Sequence, residues 1–244
     1  MAVDLRVRAV DAREQMDAAD ADPRMLARTY ARFAAVNAVV SDPRGLYRRL
    51  VRPRARGGAF GGALRVLDIG CGGGDLALAL ARRLRRDGHP AQVTGIDIDP
   101  RAVEWSTRAD PEGLVQWRCT SSADLVDAGE QYDIVLSNHV LHHLTESGLH
   151  ALLAESRRLV RTGGVAEHSD IARSRTAYAL FAAATWPVAG TVLAGSYIRA
   201  DGLTSIRRSY TRAELAARVP PGWRVEKRMP ARLLLRWEAP HGAP

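Results

Sequence analysis

The stretch that most constrains this chain is Arg65 to Leu80, RVLDIGCGGGDLALAL: a short apolar run with one acid, a burst of glycines, then apolar residues at helical spacing. Val66, Leu67 and Ile69 suit a strand of a buried parallel sheet, while Leu76, Leu78, Leu80 and Ala81 open a helix lying back on that sheet. Between them Gly70, Gly72, Gly73 and Gly74 carry no Cβ. The turn can therefore take positive φ and bring a ligand against bare backbone at the positive end of the helix. A flat or anionic group is expected there.

Glycines alone do not choose the ligand, because dinucleotide-binding folds use G-x-G-x-x-G at the same place. Counted from Gly70, that pattern meets Asp75 where glycine or alanine is needed; counted from Gly72 it fits loosely, ending on Ala77. Asp68, two residues before the first glycine, gives D-x-G-x-G-x-G instead. This stretch resembles the first motif of the class I S-adenosylmethionine (SAM) dependent methyltransferases, whose acid and glycines hold the methionine part and ribose of the cofactor. The resemblance implies SAM as cofactor, contacted by Asp68, Gly70, Cys71, Gly72 and Gly74.

Gln92 to Asp97 reads as a second buried strand. An acid at its tip, Asp97, can accept hydrogen bonds from both ribose hydroxyls of an adenosine cofactor, NAD or SAM alike. Asp99 and Pro100 already supply the cap and first position of the next helix, which leaves Asp97 free, with Ile98 beside it. Val115 to Cys119 is a third strand, followed by TSSADL. The resemblance implies an acid soon after it, near the adenine amino group, but here Ser121 or Ser122 stands in that place. The adenine contacts are therefore assigned to the Ser122 and Ala123 backbone, with Asp124 as the alternative.

Tyr132 to Asn138 is a fourth strand, running into His139, Val140, Leu141, His142 and His143. Thr145 caps a helix with apolar Leu149, Leu152, Leu153 and Leu159; Arg161 to Gly164 then turn the chain into a fifth strand, Val165 to about Asp170. Strands alternating with helices predict an α/β, doubly wound parallel sheet with ligands at the carboxyl ends of its strands. Asp68, Asp97, Asn138, His142, His143 and Asp170 all fall at those ends. Later, T-x-x-E at Thr211 to Glu214 is a capping box, and Trp223 to Arg228 and Leu233 to Glu238 read as two strands separated by Pro230.

YDIVLSNHVLHHL with ESRRLVRTGG is similar to the small-molecule methyltransferases related to those of quinone, sterol and sugar methylation. RTYARF, DGLTSIRRSYT and the paired final strands resemble methyltransferases of actinobacterial natural-product clusters. The resemblance implies a seven-stranded Rossmann-like methyltransferase sheet with an antiparallel last strand. It adds Asn138 and His139 to the cofactor contacts, and implies that a histidine of the His142-His143 pair, with Asp170, orients or deprotonates the acceptor hydroxyl. Neighbouring helical residues point about 100° apart, so one imidazole is expected to reach the acceptor. His143 is favoured, with Asp170 holding its tautomer or acting as the base itself. Methylation of a base amino group is disfavoured, because Asn138 is followed by His139 and Val140 and not by two prolines.

Residues 1–62 read as an N-terminal helical extension and 63–244 as the methyltransferase domain. Met25, Leu26, Tyr30, Phe33, Val36 and Val39 recur at helical spacing after Asp22 and Pro23; Ser41, Asp42 and Pro43 break the pattern before Leu46, Tyr47, Leu50 and Val51. Gly57, Gly58, Gly61 and Gly62 suggest a linker. The extension either pads the sheet or closes as a lid with Tyr30, Phe33 and Asn37 facing the pocket. Residues 177–198 carry no charge, long enough for a membrane span, but Pro187, Gly190, Gly195 and Ser196 interrupt them. A helix over 174–185 followed by an apolar loop fits better, its Tyr178, Phe181, Trp186 and Tyr197 facing an aromatic or lipid-like substrate or packing in the core.

The formal net charge of +8 invites a nucleic-acid reading, yet the basic residues are scattered arginines with Lys227 the only lysine, so no nucleic-acid partner is expected. Cys71 and Cys119 fall in predicted core elements with no C-x-x-C knuckle, so neither disulfide nor metal is expected. Residues 1–22 lack the apolar core of a signal peptide, and a cytoplasmic location follows as the expectation. Together these readings point to a SAM-dependent methyltransferase acting on a small, largely apolar acceptor (phenolic, hydroxyquinone or polyketide-like), by O-methylation in secondary metabolism. C-methylation, a SAM-binding protein that transfers nothing and a nicotinamide-dependent oxidoreductase are the alternatives, and the oligomeric state stays open.

Overall fold

The computed structural model describes residues 3–57 and 62–240. Its seven strands are β1 (Leu64–Ile69), β2 (Ala91–Asp97), β3 (Val115–Cys119), β4 (Tyr132–Asn138), β5 (Val160–Ile171), β6 (Arg224–Arg228) and β7 (Arg232–Glu238). They form one sheet in the order β3-β2-β1-β4-β5-β7-β6. The first five strands run parallel; β7 is antiparallel to β5 and β6 to β7. The strand order reverses between β1 and β4, which opens the ligand crevice at their carboxyl ends.

Among the described residues ten α-helices surround the sheet. Before β1 lie α1 (Pro23–Val40), α2 (Pro43–Leu46), a π-helical turn Tyr47–Val51 and α3 (Arg52–Arg56). Between strands come α4 (Asp75–Arg86), α5 (Pro100–Ala109), α6 (Ser122–Asp127) and α7 (Glu146–Leu159), and after β5 follow α8 (Arg175–Thr185), α9 (Ile198–Arg208) and α10 (Arg212–Ala216). The sequence signals for their ends are the ones used: Asp22 accepts from the amides of Arg24 and Met25, Asp99 from Arg101, Thr145 from Gly148 and Ser174 from Ala177. Capping boxes start α6 and α10.

The central strands are apolar on both faces because both are covered. One face packs Leu67, Ile69 and Val135 beneath α6, α7 and α10, and the other packs Val66, Ile134 and Leu136 against α4 and the π turn. Leu50 and Val51 of that turn are fully buried. Each contributes roughly 1.5–3 kcal/mol of apolar burial, so this part of the chain before β1 belongs to the core.

Three local differences from the sequence reading have physical causes. The turn expected at Arg161 to Gly164 is absorbed into β5, which starts at Val160; Gly163 takes φ 74° and the register shifts opposite Tyr132 and Ile134. Cys119, expected in the core, is exposed at the end of the edge strand β3, while Cys71 is buried; both are free. The helix α9 was not anticipated, because its polar face (Asp201, Ser205, Arg208) hides the periodicity until a partner is known. Gly57 ends α3 and Gly62 precedes β1; Gly58, Gly61 and the Val39 side chain lie outside the described residues. Among the described residues no helix is long and apolar enough to cross a membrane.

Candidate active site

The glycine turn takes the shape its composition demands. Gly70, Gly72 and Gly74 have φ of 67°, 52° and 79°, where a side chain would be strained. Their uses differ. A Cβ on Gly72 would meet nothing within 4 Å, so this backbone is open to a ligand, whereas one on Gly74 would lie 2.5 Å from Trp117 and 2.7 Å from Ser106 Cβ. Gly74 thus serves helix-to-sheet packing. Gly70 sits under Val140, and Tyr30 of α1 lies over Gly73, at 3.0 Å from where its Cβ would be.

Three carboxylates ring this turn. Asp68 is 2% exposed, and its Oδ1 has no hydrogen-bond partner. Burial, then the charges of Asp75 and Asp97, pushes its pKa up to about 8. Burial also raises Asp75, against a hydrogen bond at 3.1 Å from Asn37 Nδ2, and raises Asp97, against backbone donors. Asp97 accepts from Gly72 N–H at 2.8 Å and Asp99 N–H at 2.9 Å, leaving each oxygen a free lone pair for a hydroxyl donor. Ile98 beside it is 78% exposed, an apolar surface without a partner. Buried, mutually repelling carboxylates without a cation fit a ligand that is positive near Asp68 and carries hydroxyls near Asp97. SAM has both features; a pyrophosphate has the wrong charge.

Beyond β3, Ser121 and Asp124 are consumed by the α6 capping box, Asp124 accepting from Thr120 and Ser121. Asp124 is therefore withdrawn as an adenine partner, and Ser122 Oγ bonds Glu155 at 2.5 Å. The amides at the start of α6, Ser122 and Ala123, keep their place at the sheet's carboxyl edge.

At the tips of β4 and β5 a second polar group is assembled. Asp170, 3% exposed, accepts from the amides of His142 and Ile171 and faces His142 Nδ1 at 2.8 and 3.0 Å. On the far side, His142 Nε2 lies 3.2 Å from Glu14 Oε1 with no well-aligned hydrogen bond. Burial pulls the His142 pKa down, but the Asp170 charge and hydrogen bond, with the Glu14 carboxylate close by, outweigh it and push it up to about 9. Asp170 is held far below the usual carboxylate range: burial opposes this, but the His142 charge and the hydrogen bonds of His139 and His142 prevail.

His143, one-third exposed, stacks on His142 with ring centroids 4.2 Å apart and places Nδ1 3.1 Å from Asp17 Oδ2. Asp170 thus holds His142, not His143 as expected. The reason is local: Leu141–His143 is a 3-10 turn after a left-handed His139 (φ 60°), which aims His142 at the β5 tip and His143 away from it. Asn138 Nδ2 donates to Ser41 Oγ at 2.8 Å, and that hydroxyl meets His139 Nε2 at 3.1 Å.

Several partners had no signal in the sequence. Residues 3–17 cross the histidine turn as a strap. Arg8 donates to the carbonyls of His142 and Leu144, Glu14 accepts from Ser205 Oγ at 2.9 Å, and the amides of Gln15 and Met16 donate to Asp201. Between the strand ends of β4 and β5, the π turn and α4, a cavity of about 10 Å³ is lined by Ser41, Leu46, Arg49, Leu76, Asn138 and Ser169, room for one water.

The expected acceptor residues divide. Tyr30 is buried against Phe33, Trp105 and the glycine turn. Phe181 packs on Gly202 of α9, Tyr178 is half-buried, and Tyr197 is buried with its hydroxyl accepting from Asp22 N–H. Trp186 is not in a pocket: it is 74% exposed, with Arg199 reaching over its ring at 5.7 Å, because α8 ends at Thr185 and points it outward.

Residues 66–164 match a family model described as a methyltransferase domain. The "Ubiquinone biosynthesis O-methyltransferase" of Mesorhizobium japonicum is 36% identical over 119 residues, covering 48% of this chain and 45% of that protein. The protein of that name from Rhizobium leguminosarum bv. trifolii is 38% identical over 119 residues, with 48% and 44% coverage. The chain thus spans under half the length of these curated relatives. Among solved structures, the plantazolicin methyltransferase BpumL, in complex with a pentazolic desmethylPZN analog and SAH, aligns with TM-score 0.56 at 13% identity over 90% of this chain and 96% of that one. A structure described by the conversion of a disulfide bond into a thioacetal group during echinomycin biosynthesis aligns with TM-score 0.52 at 21% identity, over 73% and 76%. At these identities the structural likeness shows the fold.

Proposed function

We propose that the chain carries a class I methyltransferase domain and is a SAM-dependent enzyme that O-methylates a small phenolic or hydroxyquinone acceptor. One juxtaposition carries this reading. On the adjacent strands β1, β4 and β5, the glycine turn with its three crowded carboxyl groups lies next to the His142–Asp170 pair. The curated relatives, O-methyltransferases of ubiquinone biosynthesis, support an oxygen on a ring as the acceptor. The segments RTYARF and DGLTSIRRSYT support an acceptor from secondary metabolism.

SAM, when bound, supplies an electrophilic methyl carbon on a sulfonium. Asp68 would face its positive end, Asp97 would accept from the ribose hydroxyls, and the open backbone at Gly72, Ile98 and the Ser122 and Ala123 amides would line the remainder. The Asn138 and His139 backbone would close the side toward β4. The protein then has mainly to align the acceptor and exclude water.

Residue roles in the polar group follow from their charges. His142 sits between two carboxylates and stays an imidazolium near neutral pH, so it cannot accept a proton but can stabilise a phenolate. Asp170 is too weak a base and positions His142. His143 remains as the group that takes the proton of an acceptor hydroxyl, whose reference pKa is about 10. We take residues 1–62, whose π turn also packs in the core, as the closing element of this site and 63–244 as the catalytic domain: the strap crosses the histidine turn and Tyr30 of α1 lies over Gly73. Tyr30 and Phe33 then cover the glycine turn, and Tyr178 and Phe181 flank the acceptor.

Isothermal calorimetry with SAM and with NAD, followed by mass spectrometry of phenols and hydroxyquinones incubated with SAM and protein, tests the reading. Binding of SAM alone and a mass gain of one methylene on oxygen are expected. Heat with NAD and none with SAM would overturn it.

A further inference from the structure

Glu14, His142 and His143 converge in a way that general acid-base chemistry does not require. One carboxylate oxygen and one nitrogen from each imidazole all lie within 4.8 Å of one another. Glu14 Oε1 is 3.2 Å from His142 Nε2 and 3.8 Å from His143 Nε2. A tetrahedral ion with bonds of about 2.0–2.1 Å holds its ligand atoms about 3.3 Å apart. Two of the three ligand-to-ligand separations are at that spacing or within 0.5 Å of it, and a small rotation of the partly exposed His143 ring brings the third toward it.

The surroundings are those of a metal site as well. His142 is 2% exposed, and its Nε2 is buried without a hydrogen-bond partner. The opposite nitrogens are both held by carboxylates: His142 Nδ1 by Asp170 at 2.8 Å and His143 Nδ1 by Asp17 at 3.1 Å. A carboxylate on one ring nitrogen fixes the tautomer that presents the other nitrogen's lone pair to an ion. Three carboxylates (Glu14, Asp17, Asp170) face two guanidiniums: Arg208, 3.7 Å from Glu14 Oε1, and Arg8, on the carbonyl of His142. With neutral histidines the cluster keeps a net negative charge.

We propose that Glu14, His142 and His143 form a binding site for a divalent transition-metal ion, with zinc the best match to two imidazoles and a carboxylate. The ion takes the place of the proton that His142 Nε2 otherwise carries between two carboxylates. Three protein ligands leave a fourth coordination position; a phenol bound there would ionise more readily, and in that metal-bound form His143 would serve as a ligand in place of the proton acceptor. That consequence rests on the acceptor reading above; the binding site does not.

The test is titration of untagged, chelator-treated protein with Zn²⁺ and Co²⁺ alone, without SAM, by calorimetry and by the visible absorption of Co²⁺. One ion per chain is expected, with a Co²⁺ band that Glu14→Gln and His143→Ala abolish and that Asp170→Asn weakens about 10- to 100-fold in affinity. His150→Ala and Cys119→Ser, which alter an exposed histidine and the exposed thiol, should leave it unchanged. Circular dichroism of each variant separates loss of the site from loss of the fold. Absence of saturable binding, binding lost in Cys119→Ser, or binding that survives Glu14→Gln and His143→Ala would overturn the proposal. SAM calorimetry on the same sample keeps the two readings apart: metal without SAM binding sinks the methyltransferase reading only, and SAM without metal sinks this one only.

Discussion

His142 Nδ1 stands 2.8 Å from Asp170 Oδ1, joining the turn after β4 to the end of β5, and the Asp170 carboxylate also accepts the His142 amide. Two bonds to one residue from one carboxylate fix the imidazole in both position and charge. In Asp170→Asn the amide cannot hold the imidazolium and the ring is free to change tautomer. We expect kcat to fall about 10²-fold or more with SAM affinity preserved; His143→Ala should lose a similar factor and shift the pH-rate profile. If both variants keep parental kcat across the neutral range, catalysis is alignment alone.

The Asp68 carboxyl gives a pH test. Its pKa in the ligand-free fold is raised from 3.8 to about 8, so the stability linked to it is present below the unfolded value and is lost as pH rises through 8. A cationic ligand reverses this by favouring the carboxylate, and binding must then release a proton. SAM affinity should therefore weaken by about tenfold per unit as pH falls below 8, and calorimetry in buffers of different ionisation heat should report the proton. Asp68→Asn should abolish the slope. A pH-independent affinity in the parent protein would show that Asp68 does not face the positive end.

Residues 177–198 separate a packing role from a surface role. Phe181 presses on Gly202, so Phe181→Asp buries a charge between α8 and α9 and should destabilise the protein by roughly 2–4 kcal/mol, lowering Tm. Trp186 is exposed, and Trp186→Asp should change Tm and kcat/KM little. Loss of turnover in Trp186→Asp at unchanged Tm would return that residue to the acceptor site.

Legibility followed locality. Asp68, the glycines, Asp97 and the five parallel strands could be read because each signal sits within one strand-turn-helix unit, where period and turn chemistry are set by neighbours. The strap-side partners of the two histidines could not. Glu14 and Asp17 come from a strap whose composition is unremarkable, and they matter only because the amides of Gln15 and Met16 are pinned by Asp201 far along the chain. The choice between histidines failed for a related reason: a left-handed His139, uncommon for a non-glycine residue, reset the directions of the next four. Trp186 misled because an uncharged run does not say which of its aromatics the fold turns outward.

Asp97 offers the sharpest test of cofactor geometry, because its carboxylate has two tasks. It accepts the amides of Gly72 and Asp99, which shape the glycine turn, and its remaining lone pairs face the place assigned to the ribose. Asp97→Ala removes both tasks, and lost hydrogen bonds to a charged acceptor are worth roughly 1.5–3 kcal/mol, or about tenfold to 150-fold in SAM affinity. Asp97→Asn keeps one carbonyl oxygen for an amide but turns an NH₂ toward a hydroxyl, so it should retain the fold's Tm more fully than alanine while still losing most of that affinity. The affinity of 2′-deoxy SAM, which lacks one ribose hydroxyl, completes a double-mutant cycle. The parent should discriminate against it and Asp97→Asn should not. Equal discrimination in parent and variant would mean that the carboxylate serves the turn alone and that the ribose binds elsewhere.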